Sequence, residues 1–374
     1  MLKIKESPIT SFKNLIKSKK NTIDLTIGEP HFKTPFIVKI KTCLSILNNN
    51  TKYTSKQGNI KLINEILKYE YKFNDYKFNT DNVLITNGSS SSIYLSLRTI
   101  LNSTDEVIVL SPAYPDYEQI LDITNNKIVY FDTTPFNYQI DFNELNKLIT
   151  KHTKCIIINS PNNPTGVVYN IESINNVYKI AKKYNLYLIL DNCYEQLSRV
   201  QIPNFSKYLD ILNNIIICGS FSKSYSMTGW RLGYLIGDTK IIKNATLINQ
   251  AINICIQPFI QKGATYCFSY NLNNRKRIYL KHLNYAYNRL IKMGLDVYKP
   301  EGAIYLFPSI KKYHTNSFSF CSELLDDYGV AVLPGEIFND DTHIRINFLV
   351  SFKKLKKGLN LIEKYLDKIK KEQN

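Results

Sequence analysis

The stretch "NNIIICGSFSKSYSMTGWRLGYLIG", residues 213–237, sets two short apolar runs around a polar turn. The first run, IIIC at 215–218, is branched and shows no polar alternation, which marks a strand covered on both faces. The second, GYLIG at 233–237, reads as another strand. Ser220, Ser222, Lys223 and Arg231 gather between them, where the first strand ends. Lysine belongs in water, so Lys223 at the end of a buried strand calls for a partner.

Outward from this turn the same kind of run recurs. VLIT (83–86), EVIVL (106–110), KIVYF (127–131), CIIIN (155–159) and LYLIL (186–190) are further strand candidates. Stretches of helical periodicity separate them, such as ESINNVYKIAKKY (172–184). Strand and helix in rotation predict an α/β fold built on a doubly wound, mainly parallel seven-stranded sheet. After about residue 275 the character changes. A long helix is expected over 275–294, closed by Gly294, then short strands and an amphipathic helix through KKLKKGLNLIEKYLDKIKK (353–371). The lysines of that last helix are read as a solvated face. The division expected is an N-terminal segment, 1–44, joining a C-terminal α+β small domain, 276–374, beside a large domain, 45–275.

The chain's 374 residues allow two domains, and its 44% apolar and 21% charged residues are ordinary for a soluble globular protein. MLKIKESPIT lacks an apolar leader core, and no run approaches the roughly 18 apolar residues that span a membrane. A cytoplasmic protein without membrane partners is expected. The seven cysteines include no Cys-x-x-Cys, and Cys155, Cys218 and Cys255 lie in or beside apolar stretches, which suits reduced thiols. The five histidines show no metal-ligand spacing, so no metal site is expected. The net charge of +17 is spread along the chain, densest at KSKK and KKLKKGLN. It predicts non-specific attraction to anions and no dedicated nucleic-acid site.

In open α/β sheets ligands collect beyond the carboxyl ends of the strands. After VLIT come Asn87, Gly88, Ser89 and Ser90, opening a helix whose dipole favours an anion. After EVIVL comes SPAYPDY with Tyr114 between prolines, and after CIIIN the asparagine–proline turn SPNNPTG. After LYLIL comes Asp191, then Tyr194. A carboxylate there needs a partner, because an unpaired buried charge is very costly. A lysine, a carboxylate, an aromatic ring, an amide, serines and an arginine together suit a flat, basic heteroaromatic aldehyde carrying a phosphate. Pyridoxal 5′-phosphate meets that description.

The motifs extend this reading. IGEPHFKTP (27–35), YTSKQG (53–58), TNGSSSS (86–92), SPAYPDY (111–117), NSPNNPTG (159–166), DNCY (191–194), SFSKSYSMTGWRLG (220–233), PEGAIYLFP (300–308) and HIRINF (343–348) occur in this order. With them the chain resembles the class I/II aminotransferases of fold-type I, the aspartate aminotransferase superfamily, over nearly its whole length. The resemblance implies Lys223 as the Schiff-base lysine and Asp191 as partner of the pyridinium nitrogen. Asn163 and Tyr194 would bond the cofactor's phenolic oxygen, and Tyr114 would stack on its ring. Ser89, Ser90, Ser220, Ser222 and Arg231 would take the phosphate, and Tyr53 would reach the phosphate of a neighbouring subunit in a homodimer. Gly28 and Arg345 would receive the substrate's α-carboxylate, beside Asn163. In HIRINF, Ile344, Ile346 and Phe348 alternate with Arg345 and Asn347, placing the arginine opposite the apolar side of a strand. A guanidinium pairs a carboxylate bidentately.

The activity this implies moves an amino group between an amino acid and a 2-oxo acid in two half-reactions, through an imine at Lys223. A lyase or decarboxylase on the same scaffold is the alternative, since all begin with that imine. His31, Asn192 and the short segment before Arg345 depart from the family pattern on the substrate side of the pocket, and leave the substrate open.

Overall fold

Branched apolar runs extend best as strands buried on both faces, and here they pair into one sheet. The structure is a computed structural model that describes residues 6–17, 19 and 21–373. The first half of MLKIKESPIT, and Ser18 and Lys20 of the KSKK knot, lie outside the described residues.

The chain begins with α1 (Pro8–Lys17), β1 (Ile23–Asp24), α2 (Phe36–Leu47) and α3 (Ile60–Asn74). Then come β2 (Val83–Thr86), α4 (Ser89–Ile100), β3 (Glu106–Ser111), α5 (Asp116–Thr124), β4 (Lys127–Asp132) and α6 (Phe142–Lys147). They are followed by β5 (Thr153–Asn159), α7 (Ile171–Tyr184), β6 (Tyr187–Asp191), β7 (Ile215–Ser220), β8 (Gly233–Ile236), α8 (Thr239–Asn253) and α9 (Pro258–Ala264). The last part holds α10 (Asn273–Lys292), β9 (Asp296–Val297), β10 (Tyr305–Leu306), β11 (Pro308–Ser309) and α11 (Ser317–Tyr328). It closes with β12 (Val330–Ala331), β13 (Leu333–Pro334), β14 (Ile344–Asn347) and α12 (Phe352–Gln373).

The main sheet runs β2-β8-β7-β6-β5-β3-β4, and only β8 is antiparallel to its neighbours. Successive residues of each strand point to opposite faces. Ile215 and Ile217 join Leu62 and Ile66 of α3 and Val177 and Ile180 of α7 on one side. Ile216 and Cys218 join Ile93 and Leu97 of α4 and Ile241 of α8 on the other. Each such side chain contributes about 1.5–3 kcal/mol by leaving water. This is the expected α/β, mainly parallel seven-stranded architecture.

Several strands run past the apolar letters that announced them. β3 takes in Ser111, β6 ends on Asp191, and β7 continues to Ser220. The ladder bonds are made by the backbone, so pairing carries on into polar residues. Asn159 of β5 is opposite Asp191, and Asp191 is opposite Cys218. This register levels the carboxyl ends of three central strands.

At the other end of the molecule β1 pairs in parallel with β12, Ile23 against Val330. Phe12, Ile16, Ile23 and Leu25 share a core with Leu324, Leu333, Ile346 and Leu359. β14 sits between β10 and β13 and is buried along its whole length. Alternation therefore separates two buried faces there: Ile344 and Ile346 point to the core, and Arg345 to a polar cavity. Among the described residues no helix is long and apolar enough to cross a membrane.

Candidate active site

The levelled strand ends form the floor of a cavity of about 370 Å³. That is at the small end of the range for ligand sites, about 300–1,000 Å³. One end of it suits an anion. α4 starts at Ser89 without a side-chain cap, because Gly88 holds the N-cap position at φ 89°. The amide hydrogens of its first turn are therefore left to a ligand. Ser89, Ser90, Ser220, Ser222 and Arg231 line the same cavity. A Cβ on Gly88 would meet the Arg231 guanidinium at 3.1 Å, so the glycine lets the arginine lie against the backbone. Arg231 Nη1 also donates to the Thr228 carbonyl at 2.9 Å.

Asp191 lies deeper and is buried. Tyr117 Oη donates to its carboxylate at 2.6 Å, and the Cys193 amide donates to it at 3.2 Å. Desolvation raises its pKa, while these two donors and the nearby Lys223 charge pull it down. Asn159 secures the same strand end, its Nδ2 donating to the Asp191 carbonyl at 3.0 Å. Tyr114 stands edge-on to Tyr117 with ring centroids 5.6 Å apart.

Lys223 follows β7 in a run of turns, and its Nζ donates to the Gly28 carbonyl at 2.6 Å. Gly28 is a point of close approach: a Cβ there would come within 2.7 Å of Tyr305 Oη and 3.6 Å of Lys223 Nζ. The Tyr194 and Tyr305 hydroxyls share a hydrogen bond of 3.0 Å. Arg345 is 2% exposed, donating from Nη1 to Asn163 Oδ1 at 2.9 Å and from Nη2 to the Thr26 carbonyl at 2.8 Å. Its guanidinium lies 4.1 Å from the centre of the Tyr305 ring and 4.8 Å from that of Phe338. Its Nε is buried with no partner among the described residues. A desolvated cation with an unused donor is set to receive an anion.

Every residue given a cofactor or substrate role in the sequence lines this cavity except Tyr53, which is 81% exposed and away from it; His31 and Asn192, expected on the substrate side, do not line it either. Three contributors were missed. Tyr117 sits one helical turn from Tyr114 inside a quoted motif, and that spacing was the available signal. Tyr305 sits in PEGAIYLFP, and Asn159 closes a recognised strand. Lys13 and Asp116, also in the lining, carried no signal of their own.

The sequence model for aminotransferase class I and II matches residues 20–362. A probable N-acetyl-LL-diaminopimelate aminotransferase of Bacillus subtilis is 35% identical, over 97% of this chain and 94% of that protein. The crystal structure of an aspartate aminotransferase from Thermotoga maritima superposes with a TM-score of 0.91 at 32% identity, covering 96% of this chain and 95% of the other. That of an aromatic aminotransferase from Pyrococcus horikoshii gives 0.90 at 26% identity, covering 96% and 99%.

Proposed function

The chain belongs to the class I and II aminotransferases and moves an amino group between an amino acid and a 2-oxo acid; from that premise we propose that its cavity holds pyridoxal 5′-phosphate on the residues just described. One observation carries this: an uncapped helix terminus with hydroxyls and a guanidinium, a buried carboxylate and a lysine amine open into a single cavity. The donor set fits the group. Ser89, Ser90, Ser220, Ser222 and Arg231 would hold the phosphate, Asp191 the ring nitrogen, Tyr114 a ring face, and Asn163 with Tyr194 the phenolic oxygen. The family's cofactor supplies an aldehyde that condenses with amines and a ring that draws electrons from the substrate's α-carbon.

The chain's own groups do the rest. Asp191 would hold the proton of the ring nitrogen, and the donors Tyr117 and Cys193 favour its anionic form against the pull of burial. Lys223 provides the amine that would take the proton from the substrate's α-carbon and hold it for return. Acid and base are then one tethered group, and its proximity supplies much of the acceleration. Arg345 fixes the α-carboxylate through its unused donors and so orients the α-carbon towards Lys223.

A homodimer accords with α2, where Phe36, Ile40, Leu44 and Leu47 make one exposed apolar stripe leading towards the exposed Tyr53. A second copy of the chain would cover that stripe and bring Tyr53 to the neighbouring cavity. A cytoplasmic setting accords with seven free cysteines, five of them buried.

The test is borohydride reduction of the purified holoenzyme, then peptide mass spectrometry. The cofactor's mass is expected on the peptide bearing Lys223, and Lys223→Ala should lose both the adduct and turnover while keeping its fold. An adduct on another lysine would refute the assignment.

A further inference from the structure

Four cationic side chains line the cavity: Lys13, Lys223, Arg231 and Arg345. Lys223 donates to the Gly28 carbonyl, Arg231 to the Thr228 carbonyl, and Arg345 to Asn163 and the Thr26 carbonyl. The reading above gives each of these three a task. Lys13 has none, and it makes no hydrogen bond or ion pair among the described residues.

Its position follows from the two faces of α1. Phe12 and Ile16, 1% and 9% exposed, anchor the helix in the C-terminal core. Ile9 and Lys13, also four residues apart, form the neighbouring face and line the cavity. The ammonium is thus carried by a helix that packing holds in place.

Asp116, in the first turn of α5, lines the same cavity. Tyr114 Oη donates to its carboxylate at 2.5 Å. Burial raises the pKa of this carboxyl, while the Tyr114 hydroxyl and the charges of Lys223, Lys13 and Arg345 lower it. Lys13 and Asp116 thus line one cavity, and the Lys13 charge acts on the Asp116 carboxyl alongside those of Lys223 and Arg345. Asp191 is taken by the ring in this reading, and the third carboxylate of the lining, Glu29, follows Gly28 in the chain.

Resting on the aminotransferase reading above, we propose that Lys13 and Asp116 recognise the far end of the amino-acid substrate, Lys13 a carboxylate and Asp116 an N–H group. The substrate class is then amino acids whose side chain ends in both groups. A side chain ending only in a carboxylate would satisfy Lys13 but bring a like charge to the desolvated Asp116. One ending only in an ammonium would satisfy Asp116 and leave Lys13 unpaired. A terminus carrying both pairs each charge with its opposite and leaves no desolvated group alone.

The experiment follows the half-reaction of the holoenzyme by cofactor absorbance with four donors. LL-2,6-diaminopimelate carries both terminal groups, L-2-aminoadipate the carboxylate, L-lysine the ammonium and L-alanine neither. The expected specificity constant for diaminopimelate exceeds each of the others at least tenfold. Lys13→Ala should cut the diaminopimelate-to-lysine ratio about tenfold or more, with Lys13→Arg restoring much of it. Asp116→Asn should cut the diaminopimelate-to-aminoadipate ratio by a similar factor. The proposal is overturned if aminoadipate or lysine matches diaminopimelate in the wild type. It is equally overturned if Lys13→Ala slows all four donors alike. Failure of every donor to react would instead refute the aminotransferase reading at this site.

Discussion

Replacing Arg345 by lysine keeps a positive charge in the pocket and removes its shape. The guanidinium has five N–H donors, of which two are spent on Asn163 and the Thr26 carbonyl. The remaining ones, Nε–H among them, can take a carboxylate two-pronged, while the planar group lies 4.1 Å from the Tyr305 ring centre. A lysine ammonium has three donors on a point charge and cannot hold both anchors and a bidentate ligand at once. At least one charge-assisted hydrogen bond to the substrate is lost, about 1.5–3 kcal/mol. At about 1.4 kcal/mol per tenfold, kcat/KM should fall by about 10- to 150-fold. The assay compares an amino-acid donor with the amine that lacks its α-carboxylate, in wild type and Arg345→Lys. The amino acid should suffer the full loss and the amine only a small part of it. Equal losses for both, with Tm unchanged, would show that Arg345 does not bind the α-carboxylate.

Gly28→Ala places a methyl group 2.7 Å from Tyr305 Oη, which is tied to Tyr194, so both rings must shift. Overpacking of about 1–3 kcal/mol should appear as lower Tm together with a tenfold or larger loss of kcat/KM. Beneath Tyr194 lies a second acidic group: Glu195 accepts from Tyr69 at 2.9 Å, near the buried Glu70 held by Asn74 and Tyr234. Burial, then the Glu70 charge, pushes the Glu195 carboxyl up to about 8 from an ordinary value of 4.5. The folded state thus binds more protons between these values, and stability falls as pH rises through that window. Glu195→Gln cannot lose the proton, so its Tm should gain on the wild type as pH rises from about 4.5 to about 8 and keep a constant lead above that. A pH-independent difference would refute the shift. On α2, Leu47→Asp combined with Phe36→Asp charges two side chains that are 75% and 70% exposed. Sedimentation should then show monomers and activity should drop, whereas an unchanged dimer would place the interface elsewhere.

The strands, their order of appearance and the polar residue after each one were legible in the letters. Apolar periodicity is a local property, and it fails only at edges such as Asp191, where backbone pairing outruns side-chain character. The group of Ser220, Ser222, Lys223 and Arg231 was visible for the same reason, being packed into twelve consecutive positions. The alternation of HIRINF separated Arg345 from the apolar face, but could not say that the opposite face was an enclosed cavity. Tertiary structure alone decided what faces what. The register of β5, β6 and β7 levels Asn159, Asp191 and Cys218, and the pairing of β1 with β12 brings Gly28 from one chain end to Arg345 from the other. Arg345 meets Asn163 across 182 residues, and Lys13 reaches the cavity that Asp116 also lines only because Phe12 and Ile16 bury themselves in a core built by the C-terminal helices. Such contacts depend on how whole elements share buried area, and no window of neighbouring letters carries that sum.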